Sequence, residues 1–364
     1  QFLKQASGLL MKASKFYKIF KSFLENTSKE IILVFRTPSQ IGDTIVSIPA
    51  FKAIKEKHPL AQIILLTYSP KKKYFNPKDL LKEISVFDQF FFYRNNLISI
   101  IRILIKIRNC NPKKLYYLGY AYEKKQILRD YFFFSILGGI KSVIGLKLNS
   151  NNLIIDFDKN GNPIKKEKES KRLLNIINYN KDSIIPKRPY INISNGFKLI
   201  AKEWISEIKN YKYIISIGHE SKFKEKNWPL ENFYSLINNI LEFDEETAFI
   251  ILGSYDNKIT GDVIRNYSNK KRVINLAGKT NIIESAALLS LCKLFIGVDS
   301  GTMHLASAMN VKCIALFSTM TNPGVWEPFG EENIIIRDED SYHKNNCFKN
   351  KKLSESMKNI QVKT

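Results

Sequence analysis

Cysteine is scarce in this chain: four in 364 residues, at positions 110, 292, 313 and 347, with no CxxC pair. That spacing excludes a disulfide scaffold or a zinc site and suits reduced thiols in a cytoplasmic protein. Arginine is also scarce, only 10 of the 57 basic residues, against 34 acidic ones and a net charge of +23. Dedicated readers of phosphates and bases favour arginine for its bidentate fork, so a surplus carried by lysine reads first as solubility or compositional bias. Long apolar runs are missing too. The most apolar stretch, Tyr131 to Ile140, is ten residues where a membrane span needs ~20. Lys12, Lys15, Lys18 and Lys21 interrupt every leader-like run near the start, so no signal peptide is expected. No GxGxxG follows a strand-like run and no nucleic-acid-reading motif is present, which argues against a dinucleotide-binding fingerprint and against DNA or RNA as partner.

What is present is a globular chain. A 44% hydrophobic and 12% aromatic content excludes wholesale disorder, and the length fits two domains. Residues 1–30 stand apart: Leu9, Ala13, Phe16, Phe20 and Phe23 recur at three- to four-residue steps with lysines around the remainder. Such a basic amphipathic helix can lie on an anionic membrane surface or dock on the protein's own body, and the sequence leaves both open. From 31 onward a strand (Ile31 to Phe35), a helix (Asp43 to Lys57) and a strand (Ala61 to Thr67) form a βαβ unit, hence a parallel sheet. The charged run Lys165 to Arg172 opens a solvated helix in this reading, and Ser183 to Pro189, with two prolines, reads as a domain junction. A second series follows, with strands at Tyr213 to Ile217, Ala248 to Leu252, Leu294 to Val298 and Cys313 to Phe317. The expected division is 1–30, 31–185, 186–340 and 341–364, the last a basic tail packing back on the first domain.

Three segments carry candidate chemistry. In Phe295 to Ala308 a buried strand ends at Asp299, Gly301 permits a tight turn and a helix starts at once. Its free N–H groups and dipole suit an anion such as a diphosphate, with Ser300, Thr302 and His304 around it. Asp299 or Ser300 as a plain helix cap explains this segment equally well. In the second, Ser221, Lys222, Lys224 and Lys226 lie in a loop between a strand and Trp228-Pro229, at the carboxyl edge where α/β sheets bind ligands. By itself this is more simply a solvated basic loop. In the third, Arg36 precedes Gly42-Asp43, which places a carboxylate where a loop enters a helix. An N-cap aspartate is the simpler reading of that carboxylate alone.

Together these segments resemble glycosyltransferase family 9, the heptosyltransferases of lipopolysaccharide core assembly. The opening R-x-x-x-x-G-D pattern of the family is matched by Arg36, Gly42 and Asp43, with one residue of loop variation, followed by Pro49. Its K-x-W-P is matched by Lys226, Trp228 and Pro229. Its D-[ST]-G-x-x-H-L-A-x-A is matched by Asp299, Ser300, Gly301, His304, Leu305, Ala306 and Ala308. The resemblance implies an α/β GT-B fold: two Rossmann-like domains with parallel sheets facing across a cleft, acceptor on the first and nucleotide sugar on the second. It implies an inverting, metal-independent transferase with ADP-heptose as co-substrate and an anionic glycolipid as acceptor, working peripherally on the inner face of the cytoplasmic membrane. The helix at 1–28 is extra to the common family core, and its own basic amphipathic pattern is what makes it a membrane contact in this reading. Asp43 would be the general base, and Arg36 and Gly42 would lie on the acceptor side. Lys226, Ser221, Lys222, Asp299, Ser300, Gly301, Thr302 and His304 would hold the donor diphosphate. Asp256 and Ile282 would stand near ribose and base.

The sequence departs from the family near Gly253, where an acidic ribose partner is usual and Asp256 is the nearest, and in retaining only Cys347 of the C-terminal cysteines. Asp156-Phe-Asp158 and Asp338-Glu-Asp340 have DxD spacing outside the matched motifs and read as surface charge. Two alternatives stay open: the same chemistry with another nucleotide sugar or a capsule, O-antigen or protein acceptor, and a non-catalytic membrane- or nucleic-acid-binding protein on the same scaffold.

Overall fold

The computed structural model describes residues 29–37, 40–69, 75–148, 155–178, 188–338 and 355–362. The amphipathic segment 1–28 lies outside them, as do most of the expected junction at 183–189 and most of the basic tail. Two sheets organise the chain. The first comprises β1 (Ile31–Phe35), β2 (Gln62–Tyr68), β3 (Gln89–Tyr93), β4 (Lys114–Tyr117) and β5 (Ser142–Ile144), in the spatial order β3-β2-β1-β4-β5. The second comprises β6 (Tyr213–Gly218), β7 (Thr247–Ile251), β8 (Val273–Asn275), β9 (Leu294–Val298), β10 (Lys312–Phe317) and β11 (Ile334–Arg337), in the order β11-β10-β9-β6-β7-β8. Every strand pair in both sheets is parallel.

The helices in chain order are α1 (Ile41–Lys57), α2 (Pro77–Leu81), α3 (Leu97–Cys110), α4 (Lys124–Tyr131), α5 (Glu169–Ile176), α6 (Asn195–Trp204), α7 (Leu230–Phe243), α8 (Lys258–Asn266), α9 (Ile282–Leu289), α10 (Gly301–Ala308) and α11 (Glu355–Lys358). They cover both faces of each sheet, which is why the strands read as unbroken apolar runs. Along β1, Ile32 and Val34 face α1, while Leu33 and Phe35 face the opposite layer with Ile103 and Ile107 of α3. The layer containing α1 continues without a break into α9, α10 and one face of the second sheet, so the two sheets share one apolar mass. The other face of the second sheet packs on α7 and α8 through Phe233, Ile237, Leu241 and Ile264.

Two expectations are corrected. The charged run 165–172 does open a helix, but not a solvated one: α5 starts at Glu169, which is fully buried, and it buries Leu173, Leu174 and Ile176. Glu169 and Arg172 face inward, where Glu169 pairs with Arg172 and with Arg36, while Lys165, Glu167 and Lys171 stay exposed. The described end of the chain packs on the second sheet, not on the first domain: Met357 is buried against the α7 layer, and the Trp228 indole N–H donates to the Ile360 carbonyl at 2.8 Å. An indole buried in that layer needs an acceptor, and the closing segment supplies it.

Candidate active site

Each sheet reverses its strand order once, between β1 and β4 in the first and between β6 and β9 in the second. Loops leaving the carboxyl ends of strands diverge at such points and open a crevice. Arg36 leaves β1 there and turns inward. Its Nη1 donates to the Leu118 carbonyl, just past β4, at 2.7 Å and lies 3.1 Å from Glu169 Oε1, while Nη2 lies 3.7 Å from Asp43 Oδ1. Glu169 accepts a bidentate pair from Arg172 at 2.6 and 2.7 Å. Both guanidinium groups lie over the Tyr120 ring, at 5.2 and 5.0 Å. The result is a buried array of two cations and two carboxylates in which each charge offsets a neighbour's desolvation.

The two carboxylates separate in acidity. Burial pushes Asp43 up from 3.8 to about 6; Arg36 opposes the shift and Glu169 adds to it. Glu169 is equally buried, but the hydrogen bond from Arg172 and the charges of Arg36 and Arg172 outweigh burial and hold it below the ordinary range. Asp43 is therefore the weakly held carboxylate of the pair, poised to exchange a proton near neutrality. Arg36 Nε and Nη2 have no hydrogen-bond partner among the described residues, which leaves a buried donor edge beside Asp43.

At the second reversal Gly218 of β6 stands opposite Gly297 of β9. A side chain at 297 would place its Cβ 2.3 Å from the Gly218 carbonyl oxygen, so the backbones there are closer than any Cβ allows. β9 delivers Asp299, whose Oδ2 accepts from Lys226 Nζ at 2.6 Å and from the Thr321 hydroxyl at 3.0 Å. Burial would raise this carboxyl, but Lys226, His304 and the two hydrogen bonds bring it below its ordinary value, so it stays ionised. Ser300 caps α10, its hydroxyl accepting from the Met303 N–H at 3.4 Å, and the first turn of the helix faces the paired Lys226. His304, one turn in, is buried and held neutral: desolvation drives it down to about 4 against the pull of Asp299. Its Nδ1 has no hydrogen-bond partner among the described residues.

The two crevices meet. A Cβ on Gly42 would lie 2.7 Å from His304 Cδ2, and one on Gly301 would lie 2.8 Å from Ile41 Cβ. The starts of α1 and α10 therefore abut, and the absence of a side chain at each glycine permits it. Arg36, Gly42, Asp43, Lys226, Asp299, Ser300, Gly301, Thr302 and His304 thus gather at one junction. Ser221 is tied within the basic loop, its N–H donating to Asn227 Oδ1 at 2.7 Å. Lys222 is exposed, its ammonium 5.9 Å from the Phe223 ring centroid, with Lys226 at 5.6 Å from the same ring. Asp256 and Ile282 stand further along the same edge, Asp256 exposed in a short turn after β7 and Ile282 half-buried at the start of α9. Among the described residues no group of three or more His, Cys, Asp or Glu side chains is placed to hold a metal ion. Asp156 and Asp158 are exposed on a small antiparallel bridge.

Sequence reasoning missed Glu169, Arg172, Tyr120 and Thr321. An inward role for Glu169 and Arg172 could have been found in their i, i+3 spacing beside Leu173 and Leu174; Tyr120 and Thr321 carried no signal. Also missed was the tie between the loops after β6 and β7, made by the Asn257 amide donating to Glu220 and by His219 Nε2 at 2.9 Å from the Thr260 hydroxyl.

Comparison with known proteins bears on this junction. A lipooligosaccharide heptosyltransferase 2 of Campylobacter jejuni is 24% identical over 294 residues, 79% of this chain and 82% of the relative. The structure of E. coli ADP-heptose lipopolysaccharide heptosyltransferase II superposes with a TM-score of 0.65 at 19% identity, covering 91% of this chain and 95% of that one. An E. coli heptosyltransferase solved with ADP gives 0.54 at 13% identity, covering 84% and 92%. At these identities the structural likenesses show the fold, and the fold is GT-B. The family model for glycosyltransferase family 9 (heptosyltransferase) matches residues 147–358, which takes in α5, the basic loop and the whole of the second sheet. With more than half of its length matched, the chain belongs to glycosyltransferase family 9, the heptosyltransferase family.

Proposed function

We propose that the protein transfers heptose from ADP-heptose, with inversion, to a glycolipid acceptor of the lipopolysaccharide core. The first sheet would hold the acceptor and the second the donor. The observation that carries this reading is the junction itself: a buried carboxylate with a pKa of about 6 next to a helix start and a lysine suited to a diphosphate. The lipooligosaccharide heptosyltransferase relative and the E. coli neighbour solved with ADP support the choice of sugar and nucleotide.

In this reading the acceptor hydroxyl oxygen attacks the anomeric carbon from the face opposite the diphosphate. The new C–O bond forms as the anomeric C–O bond to phosphate breaks; Asp43 takes the hydroxyl proton, and ADP leaves with the electron pair. Lys226 and the N–H groups of Gly301 and Thr302 receive the charge that grows on the diphosphate. Asp299 fixes Lys226 in place, and Ser221 and Lys222 complete the phosphate side. Neutral His304 packs the seam between Asp43 and the donor. Asp256 and Ile282 lie towards ribose and base. Arg36, whose buried Nε and Nη2 have no hydrogen-bond partner among the described residues, orients Asp43 and the acceptor. The enzyme works peripherally at an anionic membrane surface, where its acceptor is presented.

Asp43→Asn tests the assignment. It keeps the shape and removes the base, so turnover should fall by about 10²–10⁴-fold, with donor affinity by thermal shift unchanged. Full retained turnover would overturn the role of Asp43; a chain that no ADP-heptose stabilises would overturn the donor.

A further inference from the structure

Helix α3 has two apolar faces, and among the described residues only one is packed. Ile103 and Ile107 are buried on the first sheet. Ile98, Ile101 and Ile105 are 65%, 47% and 53% exposed. At ~100° per residue these three fall within about 60° of one another, on the side away from the core. Arg102 and Lys106 flank the stripe on one side and Arg108 on the other, all exposed. Single surface hydrophobes need no explanation, but an ordered stripe opposite the buried one does.

The stripe has a neighbour over the same sheet face. The segment that begins with α4 and runs on to Leu137 buries Phe134 in the same layer as Ile103 and exposes Leu128, Phe132 and Ile136. The two lie side by side: a Cβ built on Gly139 would be 3.6 Å from Arg108 Nη1. Charge is one-sided here. Residues 89–122 contain six Lys and Arg and no Asp or Glu, and three of the chain's ten arginines fall within 94–108. The location is also specific. β3 ends at Tyr93 and α3 starts at Leu97, so the exposed start of α3 belongs to the carboxyl edge of the sheet, the edge that carries Arg36 and Asp43.

We infer that the outer face of α3, continued by residues 128–136, is a docking surface for an anionic lipid bilayer, with the isoleucine stripe entering the headgroup boundary and Arg102, Lys106 and Arg108 on the lipid phosphates. Apolar residues ringed by cations, with no acidic group along the helix, complement that surface and not a neutral or acidic protein face. Docking there lays the α3 layer along the membrane, with the start of the helix and the carboxyl edge it adjoins beside the surface, so that a glycolipid acceptor can reach that edge from its leaflet. That purpose rests on the proposed acceptor; the binding itself is scored without turnover, so either reading can fail alone.

The test is flotation of the full chain with phosphatidylethanolamine–phosphatidylglycerol vesicles, against phosphatidylcholine vesicles as the neutral control. The wild type should float with the anionic vesicles only and be released as NaCl rises from ~0.1 to ~0.5 M. Ile98→Glu/Ile101→Glu/Ile105→Glu should lower partitioning at least tenfold, with donor affinity by thermal shift unchanged. Should that variant fold poorly, Arg102→Glu/Lys106→Glu removes the charge alone. Ile101→Trp reports the contact directly, by gaining quenching from brominated lipid over the wild type. Unchanged partitioning in the glutamate variants, or an Ile101→Trp signal blind to brominated lipid, overturns the inference. So does a shift from dimer to monomer in the glutamate variants without loss of vesicle binding, which would assign the face to a second copy of the chain.

Discussion

Asp43 shows what a single residue can and cannot declare in sequence. Its place at the start of a helix after a strand and loop was legible, and so was its neighbour Arg36. Its acidity was not, because that depends first on burial and then on charges brought in from far along the chain, Glu169 raising it and Lys226 lowering it. Two measurable consequences follow from a pKa near 6. The acidic limb of kcat/KM should rise through about pH 6 and level off above it, since the base acts only when ionised. Stability should respond in the opposite sense. A carboxyl raised from 3.8 to about 6 keeps its proton in the folded state while the unfolded chain loses it. The penalty therefore grows between those values and is complete above about pH 6. Asp43→Asn removes the penalty, worth on the order of 2–3 kcal/mol. The variant should gain stability over the wild type as pH rises from 4 to 6 and keep that gain at pH 8. Chemical denaturation at pH 4.5 and 8 reads the difference; an equal gain at both pH values would show that Asp43 is not held protonated by burial.

Secondary structure was legible wherever burial imposes a pattern. β1 and β9 have the bounds that their apolar runs suggested, because strands covered on both faces cannot alternate. Glu169 and Arg172 went the other way: charge density suggested solvent, and a buried ion-pair array turned these two side chains inward while Lys171 between them stayed exposed. Nor does the meeting of α1 with α10 show in local sequence, although both of its glycines sit inside the motifs. Gly42→Ala puts its Cβ 2.7 Å from the His304 ring, and a buried ring beside Trp326 has little room to yield. The variant should lose about 1–3 kcal/mol of stability and at least tenfold in turnover, since Asp43 is the next residue. Gly196→Ala in α6 is the control: only the Ser194 hydroxyl lies near its Cβ, at 3.9 Å, so helix propensity should leave stability unchanged or raised by about 1 kcal/mol. If Gly42→Ala behaves like the control, the contact between the two helix starts is loose and the seam does not constrain the site.

At the scale of the molecule, the sequence foretold two sheets, but not that they would share a core. Ile45, Ile48 and Phe51 of α1 belong to one apolar mass with Ala286 and Ala287 of α9 and with Met303 and Leu305 of α10, so separating the sheets exposes part of the interior of each. Periodicity assigns a face to each helix but not the partner that covers it, and the covering partners here come from opposite ends of the chain. The shared layer sets how the molecule should unfold. Were the two sheets independent, calorimetry would resolve two transitions, and ADP, bound on the second sheet alone, would move only one of them. With a common apolar mass the loss of either sheet uncovers the other, so a single transition is expected, and saturating ADP should shift the whole of it upward by mass action. Ile48→Ala, in the shared layer on the first-sheet side, should lower that one transition by about 2–5 kcal/mol without splitting it. Two resolved transitions, with only one responding to ADP, would mean that the packing of α1 on α10 holds the domains together too weakly to couple their folding. The close approach at Gly42 and Gly301 would then be a hinge contact between separately stable halves.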